Sequence, residues 1–266
     1  MPSATQVQVW ALLFLAYVVF YVNRANYNVW SPAQVKAGAD LSTVGMYGTV
    51  FETVCGVSKL FGGVVVDGSS PRHLLALSLL VCAACNAGMF IGPHWMSVAL
   101  WGVNGLFQGV GWPCMVRILF AAFPNPDERG TWYSALSTSQ SAGSAITPLL
   151  LAVLVSQFGF RASVFGPACL GVVCATAVFF SLGRLVADQG ATTAVIKPGT
   201  SGAPSKVSSI TTDVFLNATI WRLGLAYFFI SIIRTGVASS TLLLLADRED
   251  AADGVAVTCL VLFDVG

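Results

Sequence analysis

Seven runs of mainly apolar residues, at about 7–30, 43–66, 74–92, 95–120, 131–157, 164–183 and 220–246, set the terms for any fold this chain adopts. Each has about the length a helix needs to cross roughly 30 Å of hydrocarbon. Lipid offers the backbone no hydrogen-bond partners, so a series of such runs predicts helices that satisfy their own amides. Composition agrees, because 56% of the residues are hydrophobic and only 9% are charged, against about 25% charged residues in soluble domains. An eighth run opens near Ala252 and reaches Gly266. At about 1.5 Å per residue that piece spans only about 22 Å, so the chain reads as cut from a longer protein.

The composition changes between the sixth and seventh runs. Gly190, Pro198, Gly199, Gly202 and Pro204 stand there among Ser, Thr and Lys, a flexible-linker composition. The expected organisation is a six-helix bundle over 1–184, a cytoplasmic linker over 185–217 and the incomplete start of a second bundle over 218–266. Six spans, a long loop and further spans is the layout of transporters built from two repeated halves. With the N-terminus inside, the cytoplasmic segments hold Arg72, Arg129, Arg184, Lys197, Lys206 and Arg222, and the opposite side holds Lys36, Arg161 and Arg248. That asymmetry favours N-inside.

Several function classes fall away. A net charge of +1 without Lys/Arg stripes excludes nucleic acid. No phosphate-binding GxxxxGK[ST], GxSxG or HExxH motif occurs, so neither an enzyme nor a cofactor is expected. Cys82 and Cys85 form a CxxC with no second pair nearby, so no zinc site is expected. Cys55, Cys114, Cys169, Cys174 and Cys259 also lie in apolar runs, and all seven read as packing residues. Gly105, Gly109 and Gly111 in the fourth run, and Ser137, Ser141, Gly143 and Ser144 in the fifth, read as faces for close helix approach, with Pro148 breaking the fifth helix's ladder.

Charges inside spans are expensive and mark functional positions by default. Arg234 lies at the middle of the seventh run, Arg24 past the midpoint of the first, and Lys59 deep in the second. Phe14, Tyr17, Tyr21, Arg24 and Asn28 recur at helical spacing on one face. That face either lines a cavity or ends in an arginine that snorkels to the surface. Glu52 stands seven residues before Lys59 on the same face, which allows a structural Glu–Lys pair as well as a binding lysine. Deep cations in three spans suit an anionic substrate, and a guanidinium fork matches phosphate or carboxylate. The residues themselves reach a transporter for small anions.

The motifs carry a resemblance further. Gly63-Val-Val-Val-Asp67-Gly-Ser-Ser-Pro71-Arg72 resembles the loop between helices two and three of the major facilitator superfamily, with Gly68 where an Arg is usual. Gly105-Leu-Phe-Gln108-Gly-Val-Gly-Trp112-Pro113-Cys114 is similar to the G-x-x-Q-G-x-G-W-P-P signature of its organophosphate:phosphate antiporters. Residues 129–139 resemble the glucose-6-phosphate translocase branch. The resemblance implies an all-α membrane protein whose N-terminal six-helix bundle is followed by helix seven and part of helix eight. It implies that Arg24 and Arg234 hold the phosphoryl group, assisted by Lys59, Tyr17, Tyr21 and Trp112. Gln140 takes the place of a helix-five His, and Asp264 that of an acidic residue on helix eight.

The implied activity is exchange of a sugar phosphate for inorganic phosphate by alternating access, in a lipid bilayer, by a protein that is a monomer when full length. Residues 1–266 alone are expected not to transport. A proton-coupled organic-anion facilitator and a non-transporting organophosphate sensor stand as alternatives. The branch likeness points to the endoplasmic reticulum membrane, and otherwise to the plasma membrane.

Overall fold

A computed structural model describes residues 2–30, 40–89 and 94–188, with a few positions between 218 and 229. Two compact units divide the chain, Met1–Thr200 and Ser201–Gly266. In the second unit Trp221, Arg222, Leu225, Ala226 and Phe229 are helical and exposed. The rest of the run expected at 220–246, including Arg234, lies outside the described residues, as do Asp264 and Cys259.

The first unit is built of six helices: α1 (Ala4–Ala25), α2 (Leu41–Asp67), α3 (Pro71–Gly88), α4 (His94–Ala122), α5 (Pro126–Phe158) and α6 (Ala162–Asp188). Among the described residues there is no strand. All but α3 are long and apolar enough to cross a membrane. At 18 residues α3 is the shortest, about 27 Å by its rise per residue. The helix starts follow local chemistry. Ser3 caps α1 by accepting from the Gln6 amide at 3.2 Å, while the Gln6 side chain accepts from the Ser3 amide at 2.8 Å. Asn125 caps α5, with Pro126 at its first position and Asp127 and Glu128 in its first turn.

Within the bundle α2 lies along α4, α3 packs between α4 and α6, and α1 packs against α5 and α6. The α2–α4 contact is close enough to forbid side chains. A Cβ on Gly105 would stand 2.7 Å from the Phe51 carbonyl oxygen, and one on Gly109 would stand 2.6 Å from Ser58. Ser58 Oγ donates to the Leu106 carbonyl across the same seam at 2.6 Å. Gly143 on α5 plays this part against α1, where a Cβ would meet Tyr21 at 2.5 Å. The packing face of α5 is Leu136, Ser139, Gly143, Thr147 and Leu151, so Gly143 belongs to it while the expected Ser137, Ser141 and Ser144 are only half-buried. Pro148 sits inside α5, which runs on to Phe158.

Cys55, Cys82, Cys85, Cys114 and Cys174 are buried as expected, but Cys169 is exposed on α6. His73 sits in the first turn of α3 beside Arg72.

A net of amides ties α1, α3, α4 and α6 together. Asn86 donates to the Asn23 carbonyl at 2.9 Å, Asn104 donates to the same carbonyl at 3.3 Å, and Gln108 donates to the Phe20 carbonyl at 3.2 Å. Asn26 donates to Asn86 Oδ1 at 2.6 Å and to the Ser163 carbonyl at 3.3 Å. Pro167, four residues beyond Ser163, brings no N–H to that carbonyl. The side chain of Asn26 therefore repairs the gap a helical proline opens in lipid.

Candidate functional site

Immediately beyond the doubly engaged Asn23 stands Arg24. Its side chain is 28% exposed and its Nη2 donates to Glu52 Oε1 at 2.5 Å, joining α1 to α2. The guanidinium carbon lies 5.6 Å from the ring centre of Tyr21 and 5.1 Å from that of Phe51, within cation–π range of both. Arg24 is thus held by two aromatic faces and one carboxylate.

Aromatic contacts continue from there along the helices. Tyr21 and Tyr17 lie 5.4 Å apart, Tyr17 and Trp112 4.7 Å, and Trp112 and Tyr133 5.8 Å, centre to centre. The wall so formed takes residues from α1, α4 and α5. Its far end lines a cavity of about 540 Å³ bounded by Gly63, Asp67, Trp112, Arg117, Phe120 and Tyr133 among others. Arg117 is bonded to Asp67 at this mouth, which gives it a partner beyond the interfacial anchoring its position suggests.

Helix α2 contributes a stripe. Glu52, Gly56, Lys59, Gly63 and Asp67 recur at three- and four-residue spacing and are all exposed. Val57, Leu60, Phe61 and Val64, also exposed, occupy a different side of the helix. A row of charged and small residues apart from the apolar row is the pattern of a helix that meets lipid on one side only. Lys59 stands seven residues beyond Glu52, about two turns along the same stripe.

Of the residues expected at the site, Arg24, Tyr21, Tyr17 and Trp112 form a continuous set of contacts. Lys59 is exposed on the α2 stripe, and Gln140 is half-buried on α5, three residues before Gly143. Arg234 and Asp264 lie outside the described residues. Glu52 pairs with Arg24 rather than with Lys59. Phe51, Glu52 and Tyr133 are additions to the site. The signal for Glu52 was present as a carboxylate in an apolar run, but sequence spacing offers only partners on its own helix. Among the described residues no His, Cys, Asp and Glu cluster is arranged to hold a metal.

Similarity to known proteins runs in one direction. The sequence profile of the Major Facilitator Superfamily matches residues 13–263. A probable hexose phosphate transport protein of Chlamydia trachomatis serovar D is 30% identical, over 96% of this chain and 60% of its own length. The membrane sensor protein UhpC of Escherichia coli K12 is 26% identical, again over 96% of this chain and 60% of its own length. The glycerol-3-phosphate transporter of Haemophilus influenzae is 27% identical, over 86% of this chain and 54% of its own length. This chain therefore spans no more than about 60% of the curated relatives it matches.

Among solved structures, a bacterial homologue of the human drug peptide transporters PepT1 and PepT2 has a TM-score of 0.59 at 14% identity, covering 92% of this chain and 59% of its own, a likeness of fold. The hexose phosphate and glycerol-3-phosphate relatives bear out the resemblance to organophosphate:phosphate antiporters. The packed spanning helices and a profile match over nearly the whole length lead to one conclusion: this multi-pass membrane chain belongs to the major facilitator superfamily.

Proposed function

We propose that this protein exchanges a sugar phosphate, of the glucose-6-phosphate kind, for inorganic phosphate by alternating access. The observation that carries the reading is Arg24, a partly buried guanidinium between Tyr21 and Phe51 at the head of an aromatic wall, with Lys59 on the α2 stripe. A guanidinium fork binds a phosphoryl group through paired, charge-assisted hydrogen bonds. Tyr17, Tyr21 and Trp112 offer rings and polar edges to a sugar. In the same proposal Arg234 grips the phosphoryl group from the second bundle, Asp264 and Gln140 complete the pocket, and 1–184, 185–217 and 218–266 are the first bundle, linker and start of the second. A bound dianion offsets cations that otherwise resist closure, and only such state-dependent contacts shift a conformational balance. The named relatives come from bacteria, which favours the plasma membrane and gives the endoplasmic reticulum no support.

The test is counterflow in proteoliposomes holding the full-length protein and preloaded with phosphate. Uptake of labelled phosphate, and its inhibition by hexose phosphate, is the expected result. Uptake that follows an imposed pH gradient and ignores internal phosphate would replace the antiporter with a proton-coupled facilitator. A second reading is favoured by the relative named as a membrane sensor: saturable organophosphate binding without flux would establish it.

A further inference from the structure

The carboxylate on Arg24 invites a question that the proposed exchange leaves open: what neutralises this cation when no substrate is bound. Glu52 Oε1 accepts from Arg24 Nη2 at 2.5 Å, yet the Glu52 side chain is 62% exposed. A carboxylate that is largely exposed has room to turn away from the guanidinium. It takes only one of the guanidinium's five N–H donors. The groups around the pair are Tyr21 from α1 and Phe51 and Cys55 from α2, with Lys59 about two turns further along α2. Among the described residues, the carboxylate bonded to Arg24 is Glu52.

We infer that Glu52 is a tethered counter-anion that occupies Arg24 in the empty site, competes with the phosphoryl group for it and so sets the affinity of the carrier for anions. The inference rests on the proposed phosphate exchange. Two consequences follow from charge alone. An incoming phosphate either displaces the carboxylate or sits beside a like charge, and both weaken binding. An empty site with Arg24 already neutralised meets less resistance to closure, so Glu52 permits some net movement of anion without a counter-substrate.

The experiment measures phosphate counterflow and net phosphate efflux by the full-length protein in proteoliposomes, wild type against Glu52→Gln. The half-saturating phosphate concentration is expected to fall roughly three- to fivefold, the range of a partly exposed ion pair. The ratio of net efflux to exchange is expected to fall with it. A role confined to holding the helices together would slow efflux and exchange alike and would not tighten binding.

An unchanged or raised half-saturation overturns the inference while leaving Arg24 and the exchange reading in place. Absence of counterflow in the wild type removes the exchange reading itself. If Glu52→Gln elutes as aggregate, Glu52→Asp substitutes for it. Its shorter arm keeps the charge but loosens the bond, so tighter phosphate binding is again expected and unaltered binding again overturns the inference.

Discussion

At residue 24 the choice of arginine over lysine decides what the wall can bind. The planar guanidinium lies between the rings of Tyr21 and Phe51 and still has N–H groups to spend on an oxyanion. An ammonium at that position keeps the charge but loses the stacking and the fork. Arg24→Lys is therefore expected to lower exchange by the full-length protein roughly ten- to a hundredfold, the value of charge-assisted hydrogen bonds lost. Wild-type rates would remove Arg24 from the site.

The cations in the spans were visible in the sequence because a charge in an apolar run is conspicuous. Their partners were not, since pairing depends on how α1 and α2 meet. The amide net escaped for a related reason: Asn23, Asn86 and Asn104 are uncharged, and only burial at 1% exposure or less reveals that each must find partners in the core. Asn86→Ala leaves the Asn26 amide with the Ser163 carbonyl alone and frees the Asn23 carbonyl of one donor. It is expected to cost about 1–2 kcal/mol of unfolding free energy in detergent.

At the level of elements, the α2–α4 seam is set by what is missing from two glycines. The Cβ of any other residue at Gly105 meets backbone, the Phe51 oxygen at 2.7 Å and its Cα at 3.3 Å, and backbone cannot step aside as a side chain can. Gly130 on α5 has nothing within 4 Å of such a Cβ. The two positions separate packing from propensity. Gly105→Ala is expected to lower the melting temperature and the yield of monodisperse protein. Gly130→Ala is expected to be neutral or to stabilise by up to about 1 kcal/mol, the usual helical gain. Equal losses at both sites would mean that the seam is not as tight as its geometry.

Helix positions were legible because run length and hydrocarbon thickness are the same quantity read twice. The expected 43–66 and 131–157 differ from α2 and α5 by only a few residues at each end. The ladder break read at Pro148 does not end the helix. A proline removes one backbone donor, but it breaks a helix only where the neighbours fail to hold both flanks together. Gly143 against Tyr21 and the buried Thr147 and Leu151 do hold them.

The whole molecule turns on which side of the membrane each loop faces. The three sides of α2 assign roles in the plane of the bilayer: Phe51, Cys55 and Ser58 inward to the bundle, Val57, Leu60 and Phe61 outward, and Glu52, Lys59 and Asp67 along a polar row. They say nothing of up and down. Up and down follow from arginine in the short connections, where Arg72 and Arg129 fall on the N-terminal side and Arg161 on the other. With all six helices crossing, as the apolar runs of the sequence predict, an even number of crossings separates Ser3 from the α4–α5 connection at residues 123–125, and an odd number from the α5–α6 connection at 159–161.

The expected outcome is then specific. In a background with Cys169 and Cys259 replaced by Ser, Asn125→Cys in intact cells resists a membrane-impermeant maleimide and reacts only after permeabilisation. Arg161→Cys in the same background reacts in intact cells. The reverse pattern would invert the protein and, in the proposed exchange, the direction from which a phosphate first meets Arg24. Labelling of both positions from one side would contradict the single crossing by α5, a helix whose 33 residues extend about 50 Å and exceed the hydrocarbon it has to span.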